Sequence, residues 1–280
     1  MKESVCVLGG DLRQVTVKKL LEEEGFKVSG VGISEGEFSL DDIRNSQILI
    51  LPIPVSGDGI TLNAPFSKNR IKLSDITERI DKNCLVLGAK MPKNMEDDLR
   101  SKNIAYIDYF EREELIIQNA IPTAEGVIEI ALQEMPITLF ESRVLVIGYG
   151  RVGKVIAEKF KALGSEVCVS ARKCADFAWI REKGIKAIHT ESLEDAVSEF
   201  DLVINTVPAK ILDERILKNV RSDALILDVA SKPGGVDFEA AKRLGKNVIW
   251  ALSLPGKTAP ITSGKIIKET IMNILSETEV

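Results

Sequence analysis

The stretch 144–153 restricts the possible folds of this chain more than any other part of its sequence. An apolar, strand-like run leads into the glycine turn Gly-Tyr-Gly-Arg-Val-Gly, and a helical pattern follows over residues 154–163. In such a turn the first glycine allows the bend, the second lets backbone approach a pyrophosphate, and the third lets the helix lie close to the strand. The helix N-terminus adds unpaired N–H groups and the positive end of its dipole. The pattern predicts a dinucleotide site, the alternative being a glycine-rich turn that binds no ligand. The predicted contacts are Gly148, Tyr149, Gly150, Arg151, Val152 and Gly153.

The end of the next strand indicates which dinucleotide is bound. A site for NAD places Asp or Glu there to accept hydrogen bonds from the adenosine ribose. This chain instead has Ser170, Arg172 and Lys173, with no acid before Asp176. Arg172 can pair with a 2′-phosphate, which a carboxylate would repel, and Ser170 can donate its hydroxyl. The alternative is that Arg172 and Lys173 are ordinary basic residues of a solvated loop. We expect NADP, with Ser170, Arg172 and Lys173 among its ligands.

Composition argues against several classes of protein. The 280 residues suit two domains of moderate size, and the net charge of −5 argues against nucleic-acid binding. No membrane-spanning stretch and no signal peptide are expected. The four cysteines form no C-x-x-C pair, which indicates buried or free thiols in a reducing cytoplasm. The one histidine, His189, lies on the predicted adenine side of the fold, so a histidine–carboxylate relay and a metal site are not expected.

Apolar, strand-like runs alternate with polar helical segments along both halves of the chain, as in parallel, doubly wound sheets. We expect an α/β protein of two doubly wound, Rossmann-like domains that flank a cleft. A substrate domain is predicted over 1–122 and an NADP domain over 123–260, with a last helix over 261–280 packing back on the first. A helix over 123–135, capped near Thr123 and ended by Pro136, is predicted to join them. With the Pro- and Gly-rich stretch 254–260, this helix would provide the hinge for domain closure.

Ligands of wound α/β folds lie beyond the carboxyl ends of the strands, and here those segments carry Arg, Ser, Asn, Thr and Lys. They are residues 9–13, 52–59, 64–67 and 119–123 in the first domain and 205–208, 228–235 and 254–260 in the second. Such side chains suit an anionic, carboxylated small molecule. Asn205, Thr206, Pro208 and Asp228 are expected beside the nicotinamide half of the cofactor. Alternatively, Asn205 and Asp228 satisfy backbone N–H groups in turns.

Four groups of residues in these segments carry a resemblance to a known family. They are Gly9-Gly10-Asp11 with Arg13, the run from Asn119 to Gly126, the run Ser231-Lys-Pro-Gly-Gly235, and Leu254-Pro-Gly with Ala259-Pro and Gly264. Together they resemble the A-subunit family of dipicolinate synthase over nearly the whole chain. One departure is Ser253, where the family leads us to expect a glycine before Leu-Pro-Gly.

The resemblance implies an NADP-dependent dehydrogenase that oxidises a dihydrodipicolinate to dipicolinate, the pyridine-2,6-dicarboxylate of bacterial endospores. It also implies the cytoplasm of the sporulating mother cell, together with a second, flavoprotein-like subunit of the same synthase; a homo-oligomer stays open. A dicarboxylate substrate requires a clamp that holds it against the nicotinamide. We assign to this clamp Arg13, Ser67 and Thr123, with Asn119 as a further donor and Lys257 as a donor at the domain boundary. For the proton acceptor, water and Asp58 are both open.

Two other functions are compatible with the sequence. A shikimate-dehydrogenase-like enzyme would share the Asn-Thr-x-Pro loop at 205–208. That family usually has a Lys–Asp pair in its first domain, and neither Lys68 nor Lys90 lies in a matching motif. A nucleotide-sensing scaffold protein would need no carboxylate clamp, so the polar residues of the predicted cleft argue against it.

Overall fold

The computed structural model describes residues 3–34 and 39–278 of the chain. Its internal contacts divide the chain into two compact units. The first unit comprises Met1–Asn119 and Ala259–Val280, and the second comprises Ala120–Thr258.

Each unit is built on one sheet in which all neighbouring strands run parallel. In the first unit the strands are β1 (Ser4–Leu8), β2 (Lys27–Val31), β3 (Ile48–Ile50), β4 (Leu85–Gly88) and β5 (Tyr106–Asp108). In the second unit they are β6 (Arg143–Ile147), β7 (Glu166–Ala171), β8 (Lys186–His189), β9 (Leu202–Asn205), β10 (Leu225–Asp228) and β11 (Asn247–Trp250). The central strands are apolar on both faces, as expected for a sheet covered on both sides.

The helices connect these strands and cover both faces of each sheet. In chain order they are α1 (Leu12–Glu23), α2 (Leu73–Thr77), α3 (Lys93–Ser101), α4 (Glu113–Glu134), α5 (Arg151–Ala162), α6 (Cys174–Glu182), α7 (Leu193–Ala196), α8 (Glu214–Asn219), α9 (Phe238–Arg243), α10 (Leu254–Thr258) and α11 (Pro260–Glu277). Short 3-10 helices lie at Leu40–Ile43, Tyr109–Glu111, Thr190–Ser192 and Val197–Glu199.

The strand orders identify both units as doubly wound. The first sheet has the order β2-β1-β3-β4-β5, with α1, α11 and the start of α4 on one face and α2 and α3 on the other. The second has the order β11-β10-β9-β6-β7-β8, with α4, α5 and α6 on one face and α7, α8 and α9 on the other. The second order is that of six-stranded dinucleotide-binding sheets, whose ligand lies where the winding reverses, between β6 and β9. The predicted fold class is confirmed.

The predicted start of the connecting helix near Thr123 is wrong. Helix α4 begins ten residues earlier, at Glu113, and continues through Pro122. Threonine is a common N-cap residue, which is why the sequence suggested a start at Thr123. Instead, Leu115 is buried in the core of the first unit and Ala124 in that of the second. This burial on both sides of Pro122 offsets the backbone hydrogen bond that the proline removes.

Helix α4 also corrects the expectation that no stretch has membrane-spanning length. Among the described residues it alone is long and apolar enough by length and composition, with a mean hydropathy of 1.3 over 18 residues. Three of its side chains, Ala124, Val127 and Ala131, lie fully buried in the core of the second unit. By these contacts α4 is a core helix of an α/β fold.

The segment 254–260, predicted as part of the hinge, begins with a short helix. Leu254 and Pro255 are buried in α10. Directly before α10, Ser253 has a φ of +61°, in the left-handed region that glycine favours. The expected glycine position therefore has a glycine-like backbone, and serine adopts it at a cost of roughly 1 kcal/mol.

Candidate functional site

The glycine turn of the second unit is fixed between two neighbouring strands. Gly148 has a φ of +97°, and a Cβ on it would lie 2.7 Å from Thr206 Oγ1. Its amide donates to Ser170 O at 3.0 Å, on β7. On the other side, Thr206 Oγ1 donates to Ile147 O at 2.8 Å. Thr206 thus holds the turn in place from the end of β9.

Beyond Gly148 the turn is open where a phosphate would approach and closed where the helix meets the strand. Gly150 is the N-cap residue of α5 and has no side-chain cap, and a Cβ placed on it would contact nothing within 4 Å. A Cβ on Gly153 would lie 2.2 Å from Gly148 O. The first N–H groups of α5 are therefore not capped by a side chain, which fits the binding of a pyrophosphate.

The side chains between these glycines differ in exposure. Tyr149 is buried, its ring lies 5.3 Å from Lys154 Nζ, and burial raises the pKa of its hydroxyl. Arg151 is exposed, whereas Val152 is half-buried and packs against the core. The backbone of the turn, rather than these side chains, makes the open surface.

Substitutions of the two glycines should separate ligand binding from folding. Gly150→Ala is expected to leave the melting temperature unchanged and to weaken NADP(H) binding at least about tenfold, roughly 1.4 kcal/mol, because only a ligand would meet the added methyl. Gly153→Ala should destabilise the protein by about 1–3 kcal/mol or more, because its Cβ meets backbone. Calorimetric titration and thermal unfolding of both variants provide the measurement, and each variant is the control for the other. Equal affinities for wild type and Gly150→Ala would exclude a close approach at this residue.

At the end of β7 the basic side chains are exposed to solvent, whereas the serine is buried. Arg172 and Lys173 are exposed, and Arg172 has no ion pair within the described residues. Ser170 is fully buried, and its hydroxyl has no hydrogen-bond partner there. Arg172 and Lys173 are therefore available to an anion, whereas the hydroxyl of Ser170 is not at the surface.

Asn205 and Asp228 form one buried network at the carboxyl ends of β9 and β10. Asn205 Nδ2 donates to Asp228 Oδ1 at 2.8 Å and to Val207 O at 2.9 Å, and both residues are fully buried. Asp228 also accepts from Ala230 N at 3.1 Å and from Gly235 N at 2.7 Å. The pair thus satisfies backbone groups of the two loops that follow, while Pro208 lies exposed in the first of them.

In the first unit, Arg13 is held by its own turn. Its Nε and Nη2 each lie 2.8 Å from a carboxylate oxygen of Asp11, the N-cap residue of α1. Nη2 also donates to Ile53 O at 2.9 Å, and the Arg13 side chain is 11% exposed. Arg13 therefore lies at the carboxyl edge of the sheet with most of its guanidinium committed to protein groups.

The remaining predicted clamp residues lie in different settings. Half-buried Ser67 donates its hydroxyl to Asn69 O at 2.9 Å; its segment is next to the turn before Arg13, since Gly10 N donates to Asn63 O. Asn119 and Thr123 are half-buried in the interior of α4, one turn apart, rather than in a loop. Lys257 is exposed in α10.

The carboxylate of Asp58 stabilises the loop in which it lies by accepting hydrogen bonds from neighbouring residues. It accepts from Thr61 N at 2.7 Å, Thr61 Oγ1 at 2.8 Å, Ile60 N at 2.9 Å and Ser56 Oγ at 3.0 Å. These hydrogen bonds, led by that of Thr61 N, hold the pKa of the Asp58 carboxyl well below its usual range. A carboxylate so stabilised is a weak base, so the geometry does not favour Asp58 as the proton acceptor.

Two features at the carboxyl edge of the first sheet were not predicted from the sequence. The hydroxyl of fully buried Tyr109 and the amide of Gln14 both donate to Leu51 O, at 2.9 and 3.0 Å. Burial raises the pKa of Tyr109 well above its usual range. The second feature is Lys90, two residues after the end of β4, whose left-handed backbone was not predicted from the sequence.

The cysteines and the histidine take no part in these networks. Cys6, Cys84 and Cys168 are buried, and burial raises the pKa of Cys6 to about 12 and those of the other two to about 11. Cys174 is exposed, and the His189 ring lies 4.4 Å from that of Phe177. Within the described residues, no group of three or more His, Cys, Asp or Glu side chains forms a metal site.

Comparison with known proteins agrees with the architecture. Residues 136–241 match the family described as "Putative NAD(P)-binding", and residues 4–110 match the N-terminal domain of the dipicolinate synthase A-subunit. The dipicolinate synthase A-subunit of Bacillus subtilis is 34% identical to this chain, covering 98% of this chain and 96% of its own length.

Two solved structures share the whole fold. The dipicolinate synthase A-subunit of Bacillus halodurans is 31% identical with a TM-score of 0.91, over 98% of this chain and 97% of its own. That of Bacillus subtilis is 32% identical with a TM-score of 0.91, over 100% and 97%. Sheet order, glycine turn and family match define the second unit as a Rossmann domain of the NAD(P)-binding class. The chain as a whole belongs to the A-subunit family of dipicolinate synthase.

Proposed function

We propose that this protein is the NADP-dependent oxidoreductase subunit of a dipicolinate synthase and oxidises a dihydrodipicolinate to dipicolinate during sporulation. The observation that carries the proposal is the uncapped N-terminus of α5 at Gly150, in a chain of this family. The second unit would bind the cofactor, and the first unit would supply substrate-binding groups. The cytoplasm of the mother cell belongs to the same proposal, as does a second, flavoprotein-like subunit.

The residues of the second unit fit a nicotinamide dinucleotide with a 2′-phosphate. The backbone of 148–153 would hold the pyrophosphate, and exposed Arg172 and Lys173 would pair with the 2′-phosphate. Asn205 and Asp228 would act through the loops whose backbone they bind, rather than as direct ligands. Bound there, NADP supplies a hydride acceptor.

The substrate loses one hydride and one proton, and its ring becomes aromatic. That driving force lowers the demand for a strong base, which suits a site without histidine. The protein's main task is then to orient the ring through its two carboxylates. We propose Arg13, Ser67, Asn119, Thr123 and Lys257 as donors for this purpose, with water as the proton acceptor in place of Asp58.

The direct test is turnover. The purified full-length protein should form NADPH and dipicolinate from NADP and freshly generated dihydrodipicolinate, with NAD as the comparison. Formation of neither product, with or without the co-expressed flavoprotein-like partner, would reject the proposal.

Arg13 tests the substrate part of the proposal. Arg13→Lys should keep the fold and NADP affinity but raise KM, because Lys cannot reproduce the planar fork. Arg13→Ala should lower kcat/KM by roughly ten- to a hundredfold, as for the loss of a charged hydrogen bond of about 1.5–3 kcal/mol. Arg112→Ala, which removes the ion pairs to Glu114 and Glu277, is the matched control in the same unit. If Arg13→Ala lowers only the melting temperature and leaves the kinetics unchanged, then Arg13 has a structural role through its ion pair with Asp11 and does not bind substrate.

A further inference from the structure

Lys90 has an unusual combination of backbone and side-chain environment. It follows β4 at the carboxyl edge of the first sheet and has a φ of +51°. Its backbone N–H donates to Asp108 Oδ2 at 2.9 Å, and its exposed side chain places Nζ 4.5 Å from the centroid of the Phe110 ring. Within the residues that the structure describes, Nζ makes no hydrogen bond and no ion pair. Its N–H donors are therefore available to a ligand.

The left-handed backbone of Lys90 is a strained conformation for a residue with a side chain. A residue with a Cβ adopts this region rarely, and such conformations persist where surrounding contacts fix them, often at binding sites. Here the contacts are the hydrogen bond to Asp108 and one from Val55 N to Ala89 O at 3.0 Å. Glycine would adopt the same backbone without strain, so the lysine side chain is not required for the turn.

Lys90 and Arg13 lie on opposite sides of one segment, residues 51–55 after the central strand β3. Arg13 donates to Ile53 O from the side of β1, and Ala89 binds Val55 from the side of β4. Since β1 and β4 are the two neighbours of β3, their backbones lie about 9–10 Å apart. Two cationic residues that flank one segment at this backbone separation could bind the two ends of a small dianion.

The charge balance around the two residues differs. The guanidinium of Arg13 is paired with Asp11, whereas the carboxylate near Lys90, that of Asp108, accepts from the backbone N–H groups of Lys90 and Phe110. Desolvation lowers the pKa of Lys90, and the charge of Asp108 only partly opposes it. The carboxylate of a bound ligand would offset this desolvation by pairing with the ammonium group of Lys90.

We propose that Lys90 is a carboxylate-binding residue of the substrate site and holds one end of a small dicarboxylate while Arg13 holds the other. This rests on the proposed function, which supplies the dicarboxylate. Lys90 is thus a further residue of the substrate-binding clamp, and it was not among the clamp residues assigned from the sequence.

The test is titration calorimetry of dipicolinate against the full-length protein at saturating NADP(H). Lys90→Gln should weaken dipicolinate binding by about ten- to a hundredfold, as for the loss of one charged hydrogen bond. Lys90→Arg should restore part of the affinity, and NADP(H) affinity should stay unchanged in both variants. The matched control is Lys82→Gln, an exposed lysine before the same strand at its opposite end, which should behave as wild type.

The pH dependence adds a readout that a purely structural lysine would not give. Carboxylate binding favours the protonated ammonium, so dipicolinate affinity should be highest below the lowered pKa of Lys90 and fall as the pH rises through it. Lys90→Arg should remove this decline, because arginine stays charged. Lys90→Gly should raise the melting temperature by relieving the left-handed strain, yet lose dipicolinate affinity as Lys90→Gln does.

The outcomes separate the two proposals. Normal dipicolinate affinity in Lys90→Gln would overturn the role of Lys90 and leave the proposed function standing. Lys90-dependent dipicolinate binding without turnover would support the role of Lys90 and reject the oxidation. If wild type neither binds dipicolinate nor turns over dihydrodipicolinate, both proposals are overturned.

Discussion

Asp228→Ala is expected to lower the free energy of unfolding by about 3–5 kcal/mol. The substitution leaves the buried backbone N–H groups of Ala230 and Gly235 without their acceptor and removes one of the two acceptors of Asn205 Nδ2. Each buried donor without a partner costs about 1–3 kcal/mol. Asp228→Asn should be nearly as damaging, because its new NH₂ group would face another donor. The midpoint of urea unfolding, followed by circular dichroism, measures the effect.

Asp223→Ala is the matched control for this experiment. Asp223 precedes the same strand, β10, but its side chain is 65% exposed and, among the residues that the structure describes, pairs only with Arg221. A surface ion pair of this kind contributes about 0–1 kcal/mol. If Asp228→Ala unfolds at the wild-type midpoint and instead weakens NADP(H) binding, Asp228 is a direct ligand of the cofactor and the positioning role is wrong.

Arg172→Asp is expected to reverse or abolish a preference for NADPH over NADH. The exposed side chain follows β7 directly, and pairing with a 2′-phosphate is worth about 1.5–3 kcal/mol. Removing it should weaken NADPH binding by roughly ten- to a hundredfold, and the new carboxylate adds repulsion against the phosphate. NADH has no 2′-phosphate, so its affinity should hold or improve. Parallel titrations with both cofactors give the ratio.

The control for the change in net charge is Arg181→Asp, at the exposed C-terminal end of α6. It alters total charge equally and should leave the ratio of the two affinities at the wild-type value. Equal affinities of the wild-type protein for NADPH and NADH would contradict the proposal that the site selects NADP.

The fold and the glycine turn could be predicted because their signals are local. The run into Gly148, the spacing to Gly153 and the helical pattern behind it lie within twenty residues of sequence. Parallel strands buried on both faces are apolar throughout, so they also stand out. The start of α4 could not be read in this way, because burial of Leu115 and Ala124 in two separate cores overrides the local preference of Pro122.

The candidate site was predictable in position but not in the roles of its side chains. From the sequence, Arg172 and Ser170 are equally good candidates for ligands of NADP, yet in the fold Arg172 is exposed and Ser170 is buried. In the same way the sequence allows Asp58 as the proton acceptor, but its hydrogen bonds to Ser56, Ile60 and Thr61 stabilise the carboxylate and make it a weak base. A sequence specifies which groups are present, whereas their accessibility and charge depend on neighbours.

The sequence by itself determined the doubly wound class, the dinucleotide turn and the edge of each sheet at which ligands are expected, because these follow from short-range spacing. Only the tertiary structure decided which polar groups satisfy one another. Arg13 meets Ile53 across 40 residues, and Asn205 meets Asp228 across 23. The strained backbone of Lys90 is likewise fixed by Asp108, 18 residues away. Such pairings arise when strands order themselves in a sheet, and no local pattern encodes them.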